Sequence, residues 1–324
     1  MKTCIYGAGA IGGWLGVRLA QAGAELSVVA RGATLQAIEQ HGLRLDMEGA
    51  VHTVRPRASQ EPATLGVQDL VIVAVKAPAM AQVAQAIAPL VGPDTVVLTA
   101  MNGVPWWFLQ GFGGEYAGRP LASVDPQGSI AAAIPAPHVV GGVVHASCAM
   151  HGPGFVQHHF GKKLILGEPA GGVSARVQRI GALLEQGGVE VQYSEQIQKD
   201  VWYKLWGNMT MNPLSAITGA TSDRVLADPL VRGFASSVML EAREIGARLG
   251  IPIADAPEDR HKITAKLGAF KTSMLQDVEA GRPVELDALV GAVRELGSVT
   301  GVPTPQTDTL YGLARLHAQM RSLY

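Results

Sequence analysis

The chain has 324 residues, of which 48% are hydrophobic and 16% are charged, and its net charge at pH 7 is −1. This length suits two domains, and the apolar content suffices for a core in each. Because there is neither a basic excess nor a polybasic run, the composition excludes nucleic acid and membrane surfaces as expected partners, and no apolar run approaches the ~20 residues that cross a bilayer.

The first part of the chain alternates short β-rich runs with helical patterns, which is typical of βαβ units in a parallel sheet. The pattern predicts a helix over 10–22, a surface hairpin of 43–46 and 51–54, and strands over 3–6, 25–30, 70–75 and 95–99. Glycine-broken β segments at 138–145 and 163–167 are predicted to extend the same sheet, followed by a helix over 173–187 and a strand over 189–192.

The turn between the first predicted strand and the first predicted helix has the pattern G-x-G-x-x-G. In this context the first glycine allows a tight turn, the second lets the backbone approach a pyrophosphate, and the third permits close packing of helix on strand. Free N–H groups and the helix dipole then hold the phosphates. The sequence therefore predicts a Rossmann dinucleotide-binding domain whose turn binds the cofactor through Gly7, Ala8, Gly9, Ala10, Ile11 and Gly12.

The end of the second predicted strand indicates which dinucleotide is bound. An NAD site places Asp or Glu there to accept a hydrogen bond from the ribose hydroxyl. This chain has Ala30-Arg31-Gly32 instead, and an arginine suits the 2′-phosphate of NADP. NADPH is therefore the predicted cofactor, although Arg31 could also be a solvated loop residue.

Two further polar residues follow predicted strands at their carboxyl ends, where ligands bind in such folds. Lys76 follows the strand over 70–75, and Asn102 follows the strand over 95–99. Both are predicted to reach the cofactor crevice. The alternatives are a surface lysine and a turn-forming asparagine before Gly103.

After Ser194 every segment has a helical pattern, with Ser194 as a predicted N-cap and Asp228-Pro229 as a second helix start. No internal repeat is found. The predicted fold is therefore α/β, with an N-terminal Rossmann NADPH-binding domain over residues 1–195 and an all-helical substrate-binding and catalytic domain over 196–324.

Three polar residues, Lys204, Asn208 and Asn212, recur every four residues in a largely apolar and aromatic segment, so a helix sets them on one stripe. Buried polar groups need partners, and a cleft between domains would supply them. Desolvation there would lower the pKa of the lysine and make it a better general acid. The alternative is that Lys204 reaches solvent while the asparagines bond to neighbouring loops.

A second polar group contains Ser273 and Glu285, in the segments 271–277 and 282–287. Pro283 is predicted to begin a helix with Glu285 in its first turn, where the helix dipole favours a carboxylate. Helix capping is therefore the competing interpretation for Glu285, and equally for the Ser273 hydroxyl.

Cysteine and histidine usage indicates a cytoplasmic protein without a metal site. Cys4 and Cys148 form no CxxC pair, and the nine histidines show no tight metal-ligand spacing. The first residues run directly into a predicted strand, so we expect no removable signal peptide.

Taken in order, the motifs GAGAIG, VAVKA, MNG, YKLWGNMTMNPLSAI, KTSMLQD and VELD resemble those of the ketopantoate reductase (2-dehydropantoate 2-reductase) family along nearly the whole chain. The resemblance implies a Rossmann domain followed by a helical domain. It also implies an oxidoreductase that uses NADPH, without a metal, to reduce 2-dehydropantoate to (R)-pantoate on the route to coenzyme A. A homodimer through the helical domain is a further expectation.

The resemblance also implies roles for the residues that match the family's motifs. Lys204 would be the general acid that protonates the substrate carbonyl, and Glu285 would orient that region. Asn102 would bridge cofactor and substrate, and Lys76 would lie near the cofactor. The residues implied to hold the substrate hydroxyl and carboxylate are Asn208, Asn212 and Ser273.

One departure from the family follows Asn102-Gly103, where the chain has Val104-Pro-Trp-Trp-Phe108. Trp106 and Trp107 either pack a domain interface or reshape the pocket for a larger, more apolar 2-oxo acid. The alternative functions are therefore a reductase of a different, bulkier 2-oxo acid, and a non-catalytic NADPH-binding sensor on the same fold.

Overall fold

The structure, a computed structural model, describes all of residues 1–324 and divides into two compact units. The first comprises residues 1–101 and 128–197, and the second comprises 102–127 and 198–324. The predicted N-terminal domain, residues 1–195, therefore includes the segment 102–127, which belongs to the second unit, and it ends two residues before the first unit does. That segment is hydrogen-bonded within the second unit, where Val104 N donates to the Ala288 carbonyl at 2.8 Å and the Phe108 carbonyl accepts from Gln198 Nε2 at 3.2 Å.

The first unit is built on one ten-stranded sheet. Its strands are β1 (Lys2–Tyr6), β2 (Glu25–Val29), β3 (Leu43–Met47), β4 (Ala50–Val54), β5 (Arg57–Ser59), β6 (Gln68–Val73), β7 (Val91–Thr99), β8 (Val139–Gly152), β9 (Phe155–Gly167) and β10 (Glu190–Tyr193). The strand order is β4-β3-β9-β8-β7-β6-β1-β2-β5, with β10 beside β9. All pairs are parallel except the hairpins β3–β4 and β8–β9, so the predicted parallel sheet carries antiparallel extensions.

The β3–β4 hairpin has the turn chemistry that its sequence predicts. Glu48 and Gly49 have positive φ angles of 55° and 79°, as both central residues of a type I′ turn require. The central strand β6 is equally consistent with its sequence, because its unbroken apolar run is fully buried over residues 70–73.

Five α-helices and several short 3-10 turns complete the first unit. The α-helices are α1 (Ala10–Gln21), α2 (Gly32–His41), α3 (Met80–Ala86), α4 (Ser129–Ala133) and α5 (Ala175–Gln186). Helix α1 follows β1 directly after the glycine turn and buries Trp14, Leu15, Val17 and Leu19 in the core of this unit. Short β–turn–α connections of this kind place loop residues at the carboxyl edge of the sheet.

The second unit is all helical. Its helices are α6 (Ile197–Thr218), α7 (Ser222–Ala227), α8 (Pro229–Arg248), α9 (Pro257–Ala265), α10 (Ser273–Glu279), α11 (Ala292–Thr300) and α12 (Pro305–Gln319). Asp228 caps α8 as predicted, accepting from Leu230 N and Val231 N. Ser194 is not the N-cap of α6, because the helix begins three residues later at Ile197. No helix in the structure combines the length and apolar character that a bilayer crossing requires.

A π-helical segment over Asp287–Gly291 runs directly into α11. Such segments close i→i+5 hydrogen bonds, are rare, and occur frequently at functional sites. The Ala288 carbonyl within it accepts the hydrogen bond from Val104 N. This bond ties the chain just after Asn102 to the π-helical segment.

Residues near the C-terminus contact the chain around Glu285. Val284 N donates to the Leu323 carbonyl at 3.1 Å. The Asp287 carboxylate accepts from the hydroxyls of Tyr311 and Tyr324, at 2.7 and 2.9 Å. Two tyrosines and a main-chain bond therefore fix the residues on both sides of Glu285.

Candidate active site

The glycine turn after β1 combines two crowded positions with one open position. A Cβ at Gly7, where φ is 98°, would lie 2.6 Å from Val75 Cγ1, and a Cβ at Gly12 would lie 2.0 Å from the Gly7 carbonyl oxygen. Gly9 has no neighbouring atom within 4 Å of such a Cβ and is exposed. The turn is therefore closed on the protein side and open where a phosphate-bearing ligand would approach the backbone.

The other residues of this turn leave its main chain available. Ala8 is buried, whereas Ala10 and Ile11, which open α1, are half-buried. Gly9 occupies the N-cap position of α1, and no side chain caps the first N–H groups of that helix. A helix N-terminus of this kind is a ready binding site for an anion.

Substitutions at the two kinds of glycine should separate packing from ligand access. We expect Gly12→Ala to lower the free energy of unfolding of the ligand-free protein by about 2–3 kcal/mol, because the added methyl group meets a backbone oxygen. This loss should outweigh the gain of about 1 kcal/mol in helix propensity. Gly9→Ala should change it by less than about 1 kcal/mol. Urea unfolding of both variants measures the difference, and equal stability would contradict the packing role of Gly12.

Arg31 and Lys76 lie at the same edge of the sheet as the glycine turn. Arg31 follows β2 and is exposed, with Nη2 donating to Gln82 Oε1 at 3.2 Å. Lys76 follows β6 and is half-buried. Because β6, β1 and β2 are neighbouring parallel strands, their carboxyl ends bring these two cations and the turn together.

Arg31 also acts on the side chain at the end of β1. Burial raises the pKa of the Tyr6 hydroxyl, and the nearby Arg31 guanidinium opposes that rise. No acidic residue occurs between Glu25 and Glu39. Arg31 is therefore the only charged residue between Glu25 and Glu39.

Helix α6 places two of the predicted site residues, Lys204 and Asn212, against partners from other segments of the second unit. Lys204 Nζ donates to Asn102 Oδ1 at 2.9 Å, and Asn212 Nδ2 lies 3.5 Å from Ser273 Oγ. Lys204 and Asn208 are half-buried, and Asn212 is buried. The four-residue spacing thus produces the single polar stripe that the sequence predicts.

The electrostatic environment of Lys204 is unusual for a lysine. Desolvation lowers its pKa from 10.5 to about 8, with the Arg260 guanidinium contributing in the same direction and the Glu285 carboxylate opposing both. An ammonium group with this pKa is largely protonated at neutral pH but gives up its proton more readily than an exposed lysine. The environment of Lys204 therefore lowers the cost of releasing its proton.

Glu285 lies directly before the π-helical segment, and only 6% of its surface is exposed. The predicted helix start at Pro283 is wrong, because helical structure begins after Glu285, whose carbonyl accepts from Leu289 N at 3.2 Å. The capping interpretation for Ser273 is also wrong. Thr272 caps α10 instead, accepting from Leu275 N, and leaves the exposed Ser273 hydroxyl to Asn212.

The aromatic residues after Gly103 are part of the packed interior. Trp106 and Trp107 expose 4% and 1% of their surface, and Phe108 is fully buried. The Phe108 ring packs against Phe112 and Trp202, with ring centroids 6.1 and 5.9 Å apart. Side chains this deeply buried offer almost no surface to a ligand, which favours packing over a reshaped pocket.

One residue near Lys204 was not foreseen from the sequence. Arg260 reaches α6 from α9, fifty-six residues further along the chain, and no local spacing connects the two. The only signal available was an arginine in a short polar helix, and that signal is too common to be useful.

The chain combines a parallel-sheet unit carrying a glycine turn with a helical unit carrying a desolvated lysine, and comparison with known proteins identifies it as an oxidoreductase. The family model for ketopantoate reductase PanE/ApbA matches residues 3–171, and the model for the C-terminal region of the same family matches 196–318. A 2-dehydropantoate 2-reductase from Mesorhizobium japonicum is 44% identical over 325 aligned residues, covering 100% of each chain. This chain belongs to the ketopantoate reductase family.

Solved structures agree with this assignment. A protein from Ralstonia solanacearum MolK2, provisionally assigned as a ketopantoate reductase, is 58% identical with a TM-score of 0.95, covering 100% of this chain and 99% of that one. The 2-dehydropantoate 2-reductase from Methylococcus capsulatus is 28% identical, with a TM-score of 0.84 and coverage of 99% and 98%. D-mandelate dehydrogenase, in a ternary structure with NADH and anilino(oxo)acetate, shares the fold at 23% identity, a TM-score of 0.85 and coverage of 99% and 100%. The predicted α/β fold with a helical C-terminal domain is confirmed.

Proposed function

We propose that this oxidoreductase reduces the ketone of a 2-oxo acid with NADPH, and that 2-dehydropantoate is its substrate and (R)-pantoate its product. The observation that carries the proposal is the desolvated Lys204, which donates to Asn102 and has a pKa of about 8. The 44% identical relative that is named for this reaction supports the choice of substrate.

The cofactor site we propose is the carboxyl edge of the sheet in the first unit. The main chain from Gly7 through Ala8, Gly9, Ala10, Ile11 to Gly12 would hold the pyrophosphate, because Gly9 is open and the α1 N-terminus is uncapped. Arg31 would bind the 2′-phosphate, with Lys76 and Asn102 nearby. When bound, NADPH supplies the hydride for the reduction.

The proposed chemistry of this chain's own residues is proton donation and positioning. Protonated Lys204 donates to the carbonyl oxygen as negative charge develops there. Glu285, whose carboxylate favours the protonated lysine, keeps Lys204 charged and orients the region. The residues we propose to hold the substrate are Asn208, Asn212, Ser273 and Asn102.

The pKa of Lys204 predicts how ketone reduction depends on pH. Reduction requires the protonated ammonium group, so kcat/KM should be constant below about pH 8 and fall about tenfold per pH unit above it. Oxidation of the hydroxy acid requires the neutral amine and should rise over the same range. Initial rates in both directions between pH 6 and 10 measure this. A basic limb near 10.5, the value of an exposed lysine, would contradict the assignment.

The alternative functions are tested by the same kinetic experiment. A bulkier 2-oxo acid remains a candidate because D-mandelate dehydrogenase, which shares the fold, was solved with anilino(oxo)acetate. The burial of Trp106 and Trp107 favours 2-dehydropantoate instead. Oxidation of NADPH is followed with 2-dehydropantoate and a panel of branched and aromatic 2-oxo acids. A kcat/KM at least tenfold higher for an aromatic acid would overturn the proposed substrate, and no turnover with any acid would favour the non-catalytic sensor.

Two further expectations concern the protein as a whole. The homodimer and the cytoplasmic location both stay predictions. Light scattering on the purified protein measures the oligomeric state directly.

A further inference from the structure

Arg260 packs its guanidinium group onto the part of α6 that carries Lys204. Its Nε and Nη2 atoms lie 2.7 and 2.9 Å from the position that a Cβ would occupy at Gly207. Gly207 follows Lys204 by three residues, and positions three apart on a helix are neighbours on its surface. The absence of a side chain at position 207 is therefore what lets the guanidinium group lie against the helix beside Lys204.

The charge of Arg260 is poorly compensated within the protein. Its Nε atom is buried and has no hydrogen-bond partner. The ring of Tyr203 lies 5.5 Å from the guanidinium carbon, and the nearby Asp255 carboxylate accepts from the Tyr203 hydroxyl at 2.7 Å. Burial lowers the pKa of Arg260, and Asp255 and Tyr203 only partly oppose that effect. Because Nε is enclosed against α6 while the residue as a whole is half-buried, an external anion would reach the guanidinium group through its Nη atoms.

Two cations side by side point to the chemistry of that anion. The Arg260 guanidinium disfavours the protonated form of Lys204 and so lowers its pKa, and the Glu285 carboxylate opposes this effect. A 2-oxo acid carries its carboxylate on the carbon next to the ketone. A group that binds this carboxylate must therefore lie close to the group that protonates the ketone, as Arg260 does.

We propose that Arg260 binds the carboxylate of the 2-oxo acid substrate and makes the enzyme selective for acids over neutral ketones. This inference rests on the proposed function. It leaves Asn208, Asn212 and Ser273 to bind the substrate hydroxyl and to add further hydrogen bonds to the carboxylate. Arginine is suited to the task because its planar donors match both oxygens of a carboxylate.

The test compares an acid with its uncharged counterpart in matched variants. Wild type, Arg260→Gln, Arg260→Lys and Lys262→Gln are assayed with 2-dehydropantoate and with its carboxamide. Lys262 is the control, because it lies on the same helix, is exposed and pairs with Asp259. For Arg260→Gln we expect kcat/KM for the acid to fall roughly 10–100-fold, mainly through KM, and kcat/KM for the carboxamide to change less than about threefold. Arg260→Lys should be intermediate, and Lys262→Gln should resemble wild type.

The pH profile provides a readout that a merely structural role would not move. With the carboxamide as substrate, Arg260→Gln should shift the basic limb of kcat/KM to higher pH, because removing the neighbouring cation raises the pKa of Lys204. Lys262→Gln should leave the limb in place. Equal losses for acid and carboxamide, or no loss for either, would overturn the assignment of Arg260.

Direct binding separates failure of this inference from failure of the proposed function. Calorimetric titration of 2-dehydropantoate into the protein with NADP⁺ bound should show affinity that depends on Arg260. Turnover that is indifferent to Arg260 would refute the inference alone. Binding that depends on Arg260 without turnover would support the inference and refute the reductase function, and absence of both binding and turnover would refute both.

Discussion

Lys204→Ala is expected to lower kcat for ketone reduction by about 10²–10⁴-fold, which is the usual contribution of a positioned general acid. The reason is specific to this lysine, because desolvation brings its pKa to about 8 and Asn102 holds its ammonium group at 2.9 Å. NADPH affinity should change less than about threefold, since the proposed cofactor contacts come from the glycine turn, Arg31 and Lys76. Single-turnover rates and fluorescence titration of NADPH measure the two quantities separately.

Two further variants make the result for Lys204 interpretable. Lys204→Met retains the length and apolar stem of the side chain, so it should lose activity without creating a cavity. Lys199→Ala removes an exposed lysine from the first turn of the same helix and should behave as wild type. Near-wild-type turnover in Lys204→Met would remove this residue from the mechanism.

Arg31→Ala should weaken NADPH by roughly 10–100-fold while changing NADH by less than about threefold. A charged hydrogen bond to the 2′-phosphate is the interaction lost, and NADH has no such phosphate. The exposed Arg31 side chain bonds only to Gln82 at 3.2 Å, so its removal should leave the fold intact. Dissociation constants for both cofactors, measured at fixed ionic strength, give the ratio directly.

The control for this variant is a second exposed arginine in the same unit. Arg55→Ala removes the same charge from the loop after β4, away from the end of β2. It should leave both dissociation constants unchanged. Equal weakening of NADPH and NADH in Arg31→Ala would show that the residue does not read the 2′-phosphate, and the proposed cofactor would have to be reconsidered.

The features that were predictable from the sequence are those fixed by local chemistry. The glycine turn, the Glu48-Gly49 hairpin and the Asp228 cap each depend on residues adjacent in the chain. The stripe formed by Lys204 and Asn212 depends only on helical periodicity. Errors in element boundaries arose where two neighbouring residues could serve equally, as with Thr272 and Ser273 at the start of α10.

The features that were not predictable depend on contacts between distant segments. The association of 102–127 with the helical unit follows from bonds to Ala288 and Gln198, which are many residues away. The position of Arg260 beside Lys204 depends on the absence of a side chain at Gly207, and a glycine inside a predicted helix has several possible meanings. The pKa of Lys204 likewise results from the packing of several elements, which no spacing within α6 reveals.

The number of residues in the π-helical segment after Glu285 determines how Glu285 is oriented relative to α11. Each residue of an ordinary helix turns the chain by about 100° and advances it by about 1.5 Å. Loss of a single residue between Asp287 and Gly291 would therefore rotate the Glu285 carboxylate by about a quarter-turn relative to α11, whatever residues remained. Substitutions in this segment should therefore be tolerated, whereas deletions should not. A redesign that converted the π-helical segment into an ordinary α-helix would redirect the Glu285 carboxylate without changing any residue of the site.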